Sequence, residues 1–248
     1  MNLIAFLFNS ILAMINSART EDPDEEVVAE AGTTAEASAL LKRKALPLES
    51  RLRQLYAAKN YQWDDDINIF GIRDESRIRE DVWNDVIVVV IPGVKVRCWL
   101  GTCDPGVVWM SAATRKAKGW EPGVAHLCCA QYLNAYMVGL HNGQYEALVQ
   151  LGGPVSIWRD LNENFENDDS FNRTGWFSIN IHKGTSRTIG WSSAGCQVIK
   201  GDREFAAFMG EVKASTRYQG NRKARFTYTL FDKGETGPLF PELMGMVG

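Results

Sequence analysis

The stretch NIHKGTSRTIGWSSAGCQV, residues 180–198, joins His182 to Cys196 through little more than Gly, Ser and Thr. A cysteine becomes a nucleophile when a base or positive neighbour raises its thiolate fraction, and histidine is the usual base because its ordinary pKa lies near neutrality. A strand ending at His182, a Gly-rich connection and a second segment carrying Cys196 can bring thiol and imidazole to one point. Gly195, directly before Cys196, suits a turn whose backbone is exposed or closely approached. Backbone N–H groups around such a turn can hold an oxyanion. The plain alternative is a small buried thiol and a structural imidazole satisfied by its neighbours.

The elements that must position these two residues are mostly strands. In WFSINIH, Phe177, Ile179 and Ile181 alternate with Ser178, Asn180 and His182, so a strand here buries the first set and turns the second to its other face. DVIVVVIPGVKVRCWL reads as a β-branched strand over 86–91, a Pro92-Gly93 turn and a half-exposed strand beyond it. EALVQLGGPVSIWRD, 146–160, reads as two short strands around Gly152-Gly153-Pro154, and RFTYTLF, 225–231, as another. Asp202 is placed to cap a helix whose Phe205, Phe208, Met209 and Val212 share a face, and Pro47 precedes a helical stripe of Leu48, Leu52, Leu55 and Tyr56. The expected class is therefore mainly β with interleaved helices, α+β. Gln150, Arg159 and Asn180 fall at strand ends or polar faces, where they either line a cleft beside Cys196 or satisfy local backbone groups. Trp176 and Trp191 flank the motif and either stack on a ligand or pack in the core.

The whole chain has 248 residues, 45% of them apolar, enough to bury one domain with an appendage. A net charge of -3 and a pI near 5.7 give no basic footprint, which argues against nucleic acid as the main partner. The five cysteines lack metal-site spacing. Cys98 and Cys103 either close a small loop under oxidising conditions or remain a reduced, buried pair. Three segments are expected: 1–60, with an apolar stretch, an acidic linker over 20–39 and a helix; a domain over 61–232; and a tail over 233–248. The apolar stretch 3–15 reads either as an export signal or membrane anchor, or as a helix docked on a partner or on the protein itself. The first option places the protein outside the cytoplasm or in the periplasm; the second leaves host cytoplasm or a virion.

Two other clusters compete for chemistry. RDLNENFENDD, 159–169, begins like an oxygen-ligand calcium loop but lacks the Gly and Glu that an EF-hand needs at its sixth and twelfth positions. Asp160 with Glu163 or Glu166 can also be read as a glycosidase pair, and a solvated acidic loop is the plain alternative. His126 and His141 have no metal-like spacing and are assigned no site.

The elements HKG at 182–184 and SAGC at 193–196 resemble the signature of L,D-transpeptidase (YkuD-type) catalytic domains. That resemblance implies a β sandwich or barrel with Cys196 as the acylated nucleophile, His182 as its base, and Ser193 and Gly195 shaping the nucleophile turn. It further implies a peptidoglycan stem peptide as substrate, held by Asn180, Gly184, Arg159, Trp191 and Gln197, with no metal or organic cofactor. Members of that family usually carry an Arg two residues after the cysteine, where this chain has Val198. ALVQ, WRD, NIHKG and SAGCQV together also resemble a group of phage-encoded and bacterial proteins, and a phage setting favours cutting wall over cross-linking it. The competing expectation is a virion or envelope component that keeps the scaffold for structure or binding.

Overall fold

The continuous run Val86–Val90 is buried on both faces, which explains why this strand shows no alternation. Ile87 and Val89 face one core, while Val86, Val88 and Val90 face a second core on the other side of the sheet. The computed structural model describes residues 47–248 except 121, 170 and 171. The expectations for residues 3–15 and 20–39 lie outside the described residues. Among the described residues, no helix is long and apolar enough to cross a membrane.

Eight strands close a barrel: β1 (Asn68–Arg73), β2 (Asp85–Ile91), β3 (Lys95–Thr102), β5 (Gln131–His141), β6 (Tyr145–Val149), β9 (Ile181–Gly184), β10 (Gln197–Lys200) and β11 (Arg225–Asp232). Their order around the barrel is β1-β11-β5-β6-β9-β10-β3-β2. A second sheet of β4 (Val124–Leu127), β7 (Val155–Asp160) and β8 (Asn172–Gly175) runs in the order β4-β7-β8. The class is thus mainly β with interleaved helices, as the strand patterning requires. The two strands around Gly152–Pro154 form as expected but join different sheets, β6 in the barrel and β7 in the accessory sheet.

Helix Asp202–Ala214 contributes Phe205, Phe208, Met209 and Val212 to the core shared with Ile87, Val89 and Trp99. Its N-cap is Gly201 rather than Asp202, whose carboxylate instead pairs with Lys183 at 2.5 Å. The helix over 47–58 lays Leu48, Leu52 and Tyr56 on the outer face of β1, β2 and β3. Leu239, Phe240 and Leu243 of the last helix, Leu239–Met244, join them there. Tyr56 meets Trp63 and Phe231 edge-on at 5.0 and 5.4 Å, so the layer is an aromatic interlock.

All five cysteines are free thiols. Cys98 and Cys103 share β3 and the turn after it, but their odd separation sends them to opposite faces: Cys98 under helix 47–58 and Cys103 into the barrel core. The Cys98–Cys103 loop closure weighed above is therefore not formed.

The expected strand through WFSINIH starts late. β9 begins only at Ile181, because Ser178 adopts φ 57° and residues 176–180 run without a ladder. Asn180 and His182 are buried like Ile179 and Ile181, since both faces of this segment are covered.

A buried polar knot fastens the accessory sheet to the barrel. The Arg73 guanidinium donates to Cys103 O and Leu127 O, both at 2.9 Å, so it links β1, the end of β3 and β4. Its Nε lies 3.0 Å from Asp104 Oδ1 without an N–H aimed at that oxygen, so the contact is one of charge. Burial alone would push the Asp104 carboxyl up, but Arg73 and a hydrogen bond from His126 Nδ1 at 3.2 Å outweigh it and hold it down. The His126 ring stacks on Trp158 at 3.9 Å. Removing one member of a buried pair strands the other charge. Arg73→Met is therefore expected to lower stability by roughly 3–5 kcal/mol, measured by urea unfolding; a loss under about 1 kcal/mol would show that the knot is not needed.

Candidate active site

The barrel's weakest join lies between β6 and β9, where the ladder has a single residue pair, Leu148↔Ile181. Buried side chains complete it. Gln150 Oε1 accepts the N–H groups of Phe177 and Ile179 at 3.0 and 3.1 Å, while its Nε2 donates to Gly175 O at 2.8 Å. The Gln150 N–H in turn donates to Asn180 Oδ1 at 2.9 Å. An amide with both donors and acceptors can stand in for a missing strand in this way.

This stitching fixes two imidazoles. Asn180 Oδ1 is occupied as an acceptor, so its Nδ2, 3.1 Å from His141 Nδ1, is the donor and His141 accepts. The other ring nitrogen, His141 Nε2, lies 3.1 Å from Asn142 Nδ2. The His182 ring stacks on His141 with centroids 4.1 Å apart. Its Nδ1 lies 2.9 Å from Lys183 O. A carbonyl only accepts, so the proton sits on Nδ1 and Nε2 keeps the lone pair a base needs. Burial first, and His141 second, hold the His182 pKa down at about 4.

Cys196 stands at the turn entering β10. β9 and β10 run parallel with Val198 opposite His182, so residues 196 and 198 share the face of the pair that carries His182. Ser193 Oγ donates to Cys196 O at 2.8 Å and accepts the Gly195 N–H at 3.2 Å, closing the turn from within. Gly195 has φ 121°, and a Cβ there would meet Ala125 O of β4 at 2.4 Å. The nucleophile turn is thus pressed against the accessory sheet, where only glycine fits. The Cys196 N–H has no hydrogen-bond partner among the described residues.

The thiol itself is at rest. Part of its surface reaches the cleft, yet the atoms packed around the sulfur push its pKa up to about 11 by burial. It donates to Ser178 O at 3.5 Å, and no hydrogen bond joins it to His182.

Cys196, His182, Asn180, Arg159 and Trp191 all line one cleft of 690 Å³ between the barrel and the accessory sheet. Of the other residues expected at the site, three lie behind its wall. Ser193 is the buried staple just described. Gly184 backs onto Trp83 and Val198, with a would-be Cβ 2.6 Å from the Trp83 ring. Gln197 corrects the expectation of a substrate contact: it is fully buried and points into the barrel, where Tyr228 donates to its Oε1 at 2.9 Å. Strand parity explains this, because 197 and 196 face opposite sides. Trp176 is exposed but not on the cleft wall.

His141 is the main residue that spacing missed. It reaches the cleft because Asn142-Gly143 makes a tight β5–β6 turn, with the Gln144 N–H donating to His141 O at 3.0 Å. The only signal in the chain was the Asn-Gly pair, which marks a hairpin and not its partner strand. Trp109 on the 3-10 turn Val107–Trp109, Arg115 on the short helix Ala112–Ala117 and Trp120 just after it also line the cleft, from pieces too short to leave a readable period.

No family model, no curated protein and no solved structure matches this chain. What the cleft can do rests on its own side chains. The acidic loop does not compete. Asp160 is fully buried and accepts the N–H groups of Glu163 and Phe165 at 2.6 and 2.7 Å, while Asp169 accepts that of Leu161 at 2.7 Å. No metal-binding group of His, Cys, Asp and Glu occurs among the described residues.

Two measurements follow from the protonation states. Iodoacetamide labelling of Cys196 in the free protein is expected to rise about tenfold per pH unit towards the thiol pKa of about 11; a plateau near neutrality would instead mark a standing thiolate–imidazolium pair. The His182 pKa is depressed in the folded state, so stability is complete above its ordinary value near 6.5 and declines as pH falls through about 4. His126 and His141 are lowered in the same direction, each chiefly by burial. Thermal unfolding between about pH 7.5 and 4.5 is expected to show this decline, with His182→Gln losing less by up to about 3 kcal/mol in the acid limit.

Proposed function

We propose that the protein is a cysteine acyl-transfer enzyme acting on peptidoglycan stem peptides, with Cys196 as nucleophile and His182 as base. The observation that carries this reading is that His182 is held with Nε2 unprotonated in the cleft where the Cys196 turn opens. Supporting it is the likeness of HKG and SAGC to the L,D-transpeptidase signature.

In this mechanism the pair rests neutral, and the proton moves only when a substrate carbonyl arrives. The sulfur bonds to the carbonyl carbon as His182 takes the thiol proton; the carbonyl oxygen gathers negative charge, which the Cys196 N–H would receive in this reading. The C–N bond then breaks and the amine departs with the proton from His182. Water or a second amine, deprotonated by the same imidazole, cleaves the thioester and restores the thiol. Val198 is fully buried with Trp83 and Ile189, so this chain has no side chain meeting substrate where the family usually carries an Arg.

A second reading, a binding module that keeps the cleft without turnover, is favoured by the thiol's bond to Ser178 O and its raised pKa. Mass spectrometry of muropeptides incubated with the protein separates the two. New stem-peptide products with the wild type, none with Cys196→Ala, and a rate roughly 100- to 10,000-fold lower with His182→Asn are expected for the enzyme. Unchanged muropeptides with the wild type, together with retained binding, would establish the module.

A further inference from the structure

Residues 185–195 join the strand of the candidate base to the turn of the candidate nucleophile. The regular piece in this connection is the 3-10 turn Gly190–Ser192, and no side chain of its own caps it. Packed on it is the 3-10 turn Val107–Trp109, which brings Trp109 to the cleft wall and lacks such a cap too.

A single carboxylate serves both turns. Asp81 Oδ1 accepts the N–H of Val107 at 2.9 Å and that of Gly190 at 3.0 Å, and Oδ2 lies 3.0 Å from the same Gly190 nitrogen. These are the leading N–H groups of the two turns, which a helix leaves without an internal partner. An ionised acceptor makes the stronger bond to them. The Asp81 carbonyl also accepts the Ile189 N–H at 3.1 Å, and Trp83 Nε1 donates to Arg187 O at 3.2 Å. Residues 81–83 thus back the connection at Arg187, Ile189 and Gly190. Asp81 itself has φ 57°, a left-handed backbone that aspartate tolerates better than most side chains.

The tie continues to the thiol. Gly106 and Gly190 meet backbone to backbone, so that a Cβ on Gly106 would lie 2.0 Å from Gly190 O. The Gly106 N–H donates to Ser193 O at 2.9 Å, and Ser193 is the residue whose hydroxyl staples the Cys196 turn. Trp191, Ala194 and Cys196 reach the cleft from one side of this tie and Trp109 from the other.

We propose that Asp81 is a positioning residue for the Cys196 thiol, its carboxylate fixing the connection between base and nucleophile against the turn that carries Trp109. This rests on the peptide-acyl reading and names what keeps its reacting groups in register. Asp81 is half-buried and does not line the cleft; it acts through Gly190, Ser193 and the Cys196 turn. A misplacement of about 1 Å at a reacting group costs about 100-fold in rate, so the loss of this one acceptor is felt at the sulfur.

The test compares full-length wild type with Asp81→Ala and Asp81→Asn in two measurements. The first is labelling of the folded protein by iodoacetamide, read by mass spectrometry as the rate at Cys196 divided by the rate at exposed Cys129 in the same molecule. Asp81→Ala is expected to raise that ratio about fivefold or more, as the packing around the sulfur loosens. Asp81→Asn, which keeps Oδ1 as an acceptor, should bring it back to within about twofold of wild type. A ratio unmoved in Asp81→Ala, or a rise shared by all the cysteines, would overturn the inference, since a shared rise marks a loss of global stability alone. The second measurement is turnover of muropeptides: kcat is expected to fall about 100-fold in Asp81→Ala, with KM within about threefold of wild type. Should wild type and Asp81→Ala turn over alike, the acyl reading stands and the role of Asp81 falls. Should the wild type convert nothing, the acyl reading falls, while the labelling ratio still decides whether Asp81 sets the position of Cys196.

Discussion

One buried amide holds the site together. β6 and β9 share a single ladder pair, and without further support the barrel would open where the candidate base sits. The Gln150 side chain fills that role by bonding to Gly175 O and to the N–H groups of Phe177 and Ile179 in the irregular segment 176–180, while its own N–H fixes Asn180. Asn180 Nδ2 holds the His141 ring through Nδ1, and His141 is the surface against which His182 stacks. A strand pair would have satisfied the same backbone groups but would have left no irregular stretch to form a cleft wall. The local irregularity and the site are the same feature.

The second constraint is the knot of Arg73, Asp104 and His126. It sets the distance between barrel and accessory sheet, and therefore the width of the cleft between them. Ala125, next to His126 on β4, is the residue against which Gly195 closes. An ion pair outside the cleft lining thus bears on the turn that carries the thiol. Both networks sit in low-dielectric surroundings, where satisfied polar groups rigidify and an orphaned one is expensive. The buried His126 Nε2 is one such orphan, tolerated with its ring stacked on Trp158.

Much of the barrel was legible in the chain because local signals agreed with tertiary burial. The Val86–Ile91 run, the Pro92-Gly93 turn, the stripe from Leu48 to Tyr56 and the face from Phe205 to Val212 each form as their periodicity demands. The segment from Trp176 to Asn180 did not, since its alternation suggested a strand while the partners of its backbone are the side chain of Gln150 and not another strand. At the site, Cys196, His182, Asn180, Arg159 and Trp191 converge on one cleft, whereas Gln197 is turned inward by a parity that depends on where β10 begins. His141 was silent because its meeting with His182 is made by a hairpin and a seam, neither of which leaves a spacing to read.

The outer layer on β1, β2 and β3 carries a consequence for the connectivity of the molecule. Helix 47–58 and helix Leu239–Met244 lie in one apolar layer, and Arg51 pairs with Glu242 at 2.6 Å. Segments distant in sequence are thus clasped together on a patch that shares no residue with the cleft wall. A substitution that loosens the clasp would lower stability while leaving thiol, imidazoles and indoles where they are.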